Sequence, residues 1–176
     1  MHVLIAMLLL FNWTGHATHF ELDFYGLSYH LVGEGYPEAP RKLDDKAAWV
    51  FSPGIGLTVD FREQPTQSGL APLAMTGYFQ DCDDRPFFFV GGGGRYRHEL
   101  SPNWLFDLNV GLVYSYAQDW FNDTFYGVLI PIGNIGFSTP FLGRWWTYRL
   151  TYAPENVGIS ATSGGDLLFM NLSMAL

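Results

Sequence analysis

The sequence predicts an all-β fold: an eight-stranded antiparallel transmembrane β-barrel of the outer-membrane type. Three observations carry this. The first is the stretch Trp104–Ala117, which alternates with a period of two. Trp104, Phe106, Leu108, Val110, Leu112, Tyr114 and Tyr116 share one face; Leu105, Asp107, Asn109, Gly111, Val113, Ser115 and Ala117 share the other. The apolar face begins and ends in aromatic side chains with aliphatic ones between, as in a strand that crosses lipid between two aromatic girdles. The second is that connections between such stretches alternate between long and short, the loop pattern of bacterial outer-membrane barrels. The third is composition: of 176 residues only 15% are charged, 18% are aromatic and 20 are glycine, unusual for a soluble domain.

The elements follow in order. Val3–Phe11 is an apolar run too short to span a bilayer as a helix, and Gly15-His16-Ala17 supplies small residues for cleavage. Residues 1–17 therefore read as an export signal, although no Lys or Arg precedes the apolar run, and residues 18–176 as one barrel domain. Phe20–Val32 is the first expected strand, and the polar 33–47 a long loop. Ala48–Phe61 is the second: Trp49, Phe51, Pro53, Ile55, Leu57, Val59 and Phe61 face one way, Ser52, Gly54, Gly56, Thr58 and Asp60 the other. Leu70–Gln80 and Pro86–His98 form the next pair, joined by Asp81–Arg85. Ser101-Pro102-Asn103 turns the chain into Trp104–Ala117. Phe125–Ser138 and Leu142–Tyr152 are joined by a short turn, and Asp166–Leu176 closes the set after a Gly/Ser-rich loop. A soluble lipocalin-like barrel would keep its aromatic residues mostly inside. Here the more apolar face opposes a lining of Gly, Ser, Asn and Thr, which favours lipid outside.

Several functions are excluded. The net charge is −8 with no basic run, so nucleic acid is not an expected partner. Cys82 is the sole cysteine, which rules out an internal disulfide. No segment approaches twenty consecutive apolar residues, so a helical membrane protein is not expected. The four glycines of Phe87–Arg97 lack the GK[ST] ending of a phosphate-cradling loop. Neither a metal nor a cofactor is implied, since the histidines are scattered and the acids lack EF-hand spacing.

The densest charge cluster is Asp81-Cys82-Asp83-Asp84-Arg85, on the same rim as His30 at the end of the first strand. Its plain reading is a solvated loop. A His base, an Asp orienter and a thiol nucleophile gathered at one rim could also transfer an acyl group. The neighbouring acids would raise the Cys82 thiol, making it dependent on His30. Two prolines add to the picture: Pro131 inside an expected strand and Pro154 at the end of the next would leave adjacent strands locally unzipped.

These residues resemble the PagP-type lipid A palmitoyltransferases of the bacterial outer membrane. The likeness is carried by Leu27-Ser28-Tyr29-His30, by Phe79-Gln80-Asp81-Cys82, and by Gly127–Gly133 with Thr151-Tyr152-Ala153-Pro154. The resemblance implies an acyl chain moved from a phospholipid donor to a lipid A acceptor. It implies His30 as the essential histidine, Asp81 as its polar partner, and Cys82 where the family carries serine. Pro131 and Pro154 would then mark the strands through which lipids enter. Asn109, Gly111, Ser115, Gly92 and Gly94 are expected to line the lumen and leave space for the chain. Membrane lipids are the expected partners, and a monomer the expected state. The alternative is a small, non-enzymatic outer-membrane barrel that binds lipid or surface partners.

Overall fold

A computed structural model describes residues 18–31, 49–64, 66–80, 86–118, 125–154 and 166–176. The expected export signal lies outside the described residues. Eight strands close a barrel in sequence order: β1 (His19–Leu31), β2 (Trp49–Asp60), β3 (Gly69–Gln80), β4 (Pro86–Ser101), β5 (Trp104–Gln118), β6 (Phe125–Phe141), β7 (Arg144–Ala153) and β8 (Asp166–Ala175). Every neighbouring pair is antiparallel, and β1 pairs with β8 to seal the wall. Closure removes both sheet edges, which is what lets strands sit in lipid with their backbone groups satisfied. Each strand matches an expected one to within three residues at either end.

The wall is inside-out relative to a soluble barrel. On β5, Leu108, Val110, Leu112 and Tyr114 are exposed, while Asp107, Asn109 and Ser115 are buried. The same holds on β2, where Phe51 is 68% exposed and Ser52 2%. A continuous apolar exterior around a charged interior is stable only with lipid against it. The protein is an outer-membrane barrel, with the three short turns, the start of β1 and the end of β8 on one rim.

Two local features set the register. Pairings of β1 with both neighbours shift between Tyr25 and Leu27: Gly26 is an extra residue against β8, whereas against β2 the extra residue lies on β2, at Ser52–Pro53. The inward parity of β1 reverses at this point: Glu21, Asp23 and Tyr25 face in before it, Ser28 after it. At the β6–β7 turn, Leu142 (φ 51) and Gly143 (φ 75) are both left-handed, as a two-residue type I′ hairpin requires.

Candidate functional site

The lumen has two halves of opposite chemistry. Toward the short turns it is filled by an ionic cluster built from alternate residues of five strands. Glu21 and Asp23 come from β1, Asp60 from β2, Arg95 and Arg97 from β4, Asp107 from β5 and Arg149 from β7, with Arg62 folding back from the β2–β3 turn. Alternation forces this. A charged residue inside a lipid-embedded strand must point to the lumen, and a second charge two positions on points the same way.

Glu21 is the keystone of the cluster. Its carboxylate accepts from Arg95 Nη1 at 2.6 Å and Nη2 at 3.0 Å, and from Arg149 Nη2 at 2.5 Å. Arg97 Nη2 stands 3.6 Å away. Arg97 is itself held by Asp107, from Nε at 2.5 Å and Nη2 at 2.7 Å, a bidentate fork. Arg95 also donates to Asp60 at 2.9 Å and to Asn109 at 2.9 Å. Arg149 and Ser173 both donate to Asp23, which accepts from Thr58 as well, at 2.7 Å. Four carboxylates thus meet four guanidiniums, and the cluster is neutral. In the turn, burial pulls the Arg62 guanidinium below its ordinary value, opposed by its hydrogen bond to Asp60.

Toward the loops the described lining is mostly apolar. Leu73, Met75, Phe79, Phe89 and Val113 are buried together, and Tyr25, Phe87, Ile130, Ile132 and Phe169 pack on them while remaining partly accessible. Phe79 is the hub, with ring centroids 4.5 Å from Phe87, 5.0 Å from Phe169 and 5.8 Å from Tyr25. Above this layer the Ser28 and Ser52 hydroxyls meet at 2.8 Å.

The expected lumen lining is placed as follows. Asn109 and Ser115 face inward and are buried, and Gly111 shares their face of β5. Asn109 is tied to Arg95 and, at 2.5 Å, to Asn134, so it closes the ionic layer rather than opening a cavity. Gly92 and Gly94 require a correction. Arg95, Arg97 and Phe89 are buried while Phe88 and Tyr96 are exposed, so odd positions of β4 face in, and Gly92 and Gly94 belong to the outer register. Gly91 and Gly93 are the lumen-facing pair. Glycines carry no side chain from which parity can be read, and the run of four hid it. Nor do lumen glycines simply leave space. The Tyr25 ring lies over Gly56 and the Phe89 ring over Gly77, while Gly91 and Gly93 are pressed against the backbone of β5.

At the loop rim, His30 pairs with Leu167 of β8 near the end of β1, and β3 ends on the same rim at Gln80. Asp81 and Cys82 lie outside the described residues. Pro131 and Pro154 fall at one seam. The last β6–β7 pair is Gly133–Tyr152, and each proline stands two residues beyond it, Pro131 within β6 and Pro154 just past the end of β7. The β2–β3 ladder likewise runs only as far as Gly54–Phe79, with Pro53 next on β2.

Sequence reasoning missed the ionic cluster. The signal was available in the i, i+2 pairs Glu21/Asp23 and Arg95/Arg97, charges that an alternating strand places on one side.

Fold and lumen together define an eight-stranded outer-membrane barrel with a sealed ionic half and a loop-side apolar half. No protein-family model matches the chain, and no curated protein matches it in sequence. Solved structures do resemble it. The N-terminal β-barrel domain of Pseudomonas aeruginosa OprF aligns over 93% of this chain and 100% of its own, with a TM-score of 0.55 at 11% identity. Neisserial surface protein A aligns over 90% of this chain and 96% of its own, with a TM-score of 0.58 at 12% identity. The likeness is one of fold, to outer-membrane barrels and not to the palmitoyltransferases in particular.

Proposed function

We propose that this chain is a small, non-enzymatic outer-membrane barrel that takes the apolar part of a membrane amphiphile into the loop-side half of its lumen. The observation that supports this is the contrast between the halves. Tyr25, Phe87, Ile130, Ile132 and Phe169 face inward yet stay partly accessible, above an ionic floor whose members are nearly all sealed. An apolar lining with a closed polar base suits a hydrocarbon tail entering from the rim. Phe169→Trp would place a fluorescent reporter in this layer. Phosphatidylcholine with brominated chains should quench it saturably in detergent micelles, and Ile132→Arg should abolish the saturable part. Quenching that rises linearly with lipid, alike in both proteins, sinks the reading.

A second reading is acyl transfer from phospholipid to lipid A, as the palmitoyltransferase resemblance implies. It is favoured by the seam: Pro131 and Pro154 flank the point where the β6–β7 ladder ends, on the rim that carries His30. Mass spectrometry of lipid A from cells making the folded protein tests it. Under this reading an added acyl chain appears, His30→Ala removes it, and Cys82→Ser keeps or raises it. Unmodified lipid A in the presence of folded barrel excludes it.

A further inference from the structure

Two of the short turns differ chemically at their tips, while Leu70 at the start of β3 and Leu100 and Trp104 at the β4–β5 turn are exposed as well. The β2–β3 turn presents Glu63, Gln64, Gln67 and Ser68 to solvent, all polar and all exposed. The β6–β7 turn presents the opposite face: Phe141 is 60% exposed, Leu142 83%, and Arg144 is exposed beside half-buried Trp145 and Trp146. The Trp146 indole donates to the Phe141 carbonyl oxygen at 3.1 Å, and Arg144 Nη1 to the Ala175 carbonyl oxygen at 3.1 Å, so the apolar tip and its cation are held in place.

Leu142 sharpens the contrast. It occupies a left-handed position of a type I′ turn, where Asn or Gly fits and a leucine is strained. The tip also continues the lipid-facing wall directly, since Phe137 of β6 and Tyr148 of β7 are exposed on the outer face just above it.

We propose that the β6–β7 turn is a membrane-surface contact seated in the headgroup region of the periplasmic leaflet. Phe141 and Leu142 reach the upper acyl segments, Trp146 on the outer face of β7 sits at the interface, and Arg144 faces lipid phosphate. The β2–β3 turn stands in water across the barrel. The barrel is therefore seated unevenly, deeper on its β6–β7 side, with tilt set by these anchors.

Single-cysteine labelling tests this in the full chain carrying Cys82→Ser, reconstituted into phosphatidylethanolamine–phosphatidylglycerol vesicles. Leu142→Cys and Gln64→Cys are each labelled with a polarity-sensitive fluorophore, and folding is verified by heat-modifiable migration. Phe141→Cys and Gln67→Cys serve as the second pair if either first variant fails to fold. The label at 142 or 141 should emit at shorter wavelength and be quenched several-fold more by lipids carrying a nitroxide near the headgroup. Equal water exposure at both turns overturns the proposal. So does a blue-shifted β6–β7 label that nitroxide lipids do not quench, because a second copy or another protein then covers the turn.

Discussion

Replacing Glu21 with Gln keeps the shape of the side chain and removes one charge from the neutral lumen cluster. Three guanidiniums feel the loss, but unequally. Arg95 keeps Asp60 at 2.9 Å and Arg97 keeps Asp107 at 2.5 Å, whereas Arg149 is left with Asp23 at 3.1 Å. The remaining cluster has four cations and three carboxylates, an uncompensated charge with almost no exposure to water. Breaking a buried pair from one side costs about 3–5 kcal/mol, roughly two to four orders of magnitude in the folding equilibrium. The assay is equilibrium unfolding in urea with lipid vesicles, read by tryptophan fluorescence and heat-modifiable migration. The discriminating variant is the double change Glu21→Gln with Arg149→Met, which restores three against three. It should recover more than half of the single variant's loss, a favourable coupling of at least about 1 kcal/mol. High salt should change none of this, because the pairs are buried. A Glu21→Gln cost below about 1 kcal/mol, or strict additivity in the double variant, would refute the keystone assignment.

Other consequences are quick to check. A Cβ at Gly93 would meet the Val110 carbonyl oxygen and the Gly111 Cα, whereas at Gly94 it would touch only the Leu70 side chain at 3.5 Å. Gly93→Ala should thus cost about 1–3 kcal/mol of unfolding free energy and Gly94→Ala close to nothing; the reverse order would overturn the register. Leu112, exposed midway along β5, should cost about 2–4 kcal/mol when changed to Arg, and Trp104, near the rim, about 0–1, both read from unfolding in vesicles. Leu142→Asn relieves a left-handed leucine and should raise stability in detergent by about 1 kcal/mol, measured as a shift in the urea midpoint.

Strand number and boundaries were legible because alternation survives wherever side chains differ in kind. β5 shows this best, with aromatics and aliphatics on one face against Asp107, Asn109 and Ser115 on the other. Legibility failed where the period carries no contrast. Gly91–Gly94 offers four identical residues, so inward and outward could be told apart only from Phe89 on one side and Arg95 on the other. The irregularity at Gly26 was hidden for a related reason: a register shift there exchanges the faces of β1, and only partners on β2 and β8 reveal it. The ionic cluster was hidden because its partners are far apart in sequence. Arg149 and Glu21 are 128 residues apart and meet only once the barrel closes. The rim differs again: the ends of β1 and β3 share one end of the barrel, which alternation and loop length already dictated.

The charge ledger bears on which amphiphile the lumen can take. The chain has 17 acids and 9 bases, and the lumen cluster removes four of each, so the whole net charge of −8 lies outside it. Most of that sits in the loop-side segments 32–48, 81–85, 119–124 and 155–165, which hold ten acids against four bases. A headgroup rich in phosphate approaching that rim meets like charge, whereas a zwitterionic headgroup does not. Exposed charges within about 10 Å interact at low salt and are largely screened at high salt. With the Phe169→Trp reporter, brominated phosphatidylcholine should therefore bind with little salt dependence. Brominated phosphatidylglycerol should bind several-fold more weakly at low salt and approach phosphatidylcholine as salt rises. Magnesium should close the gap at lower concentration than sodium by bridging phosphate to loop carboxylates. Equal binding of the two lipids at low salt would mean that the loop acids stand away from the entry path, and the ligand's chain alone would then decide what the lumen accepts.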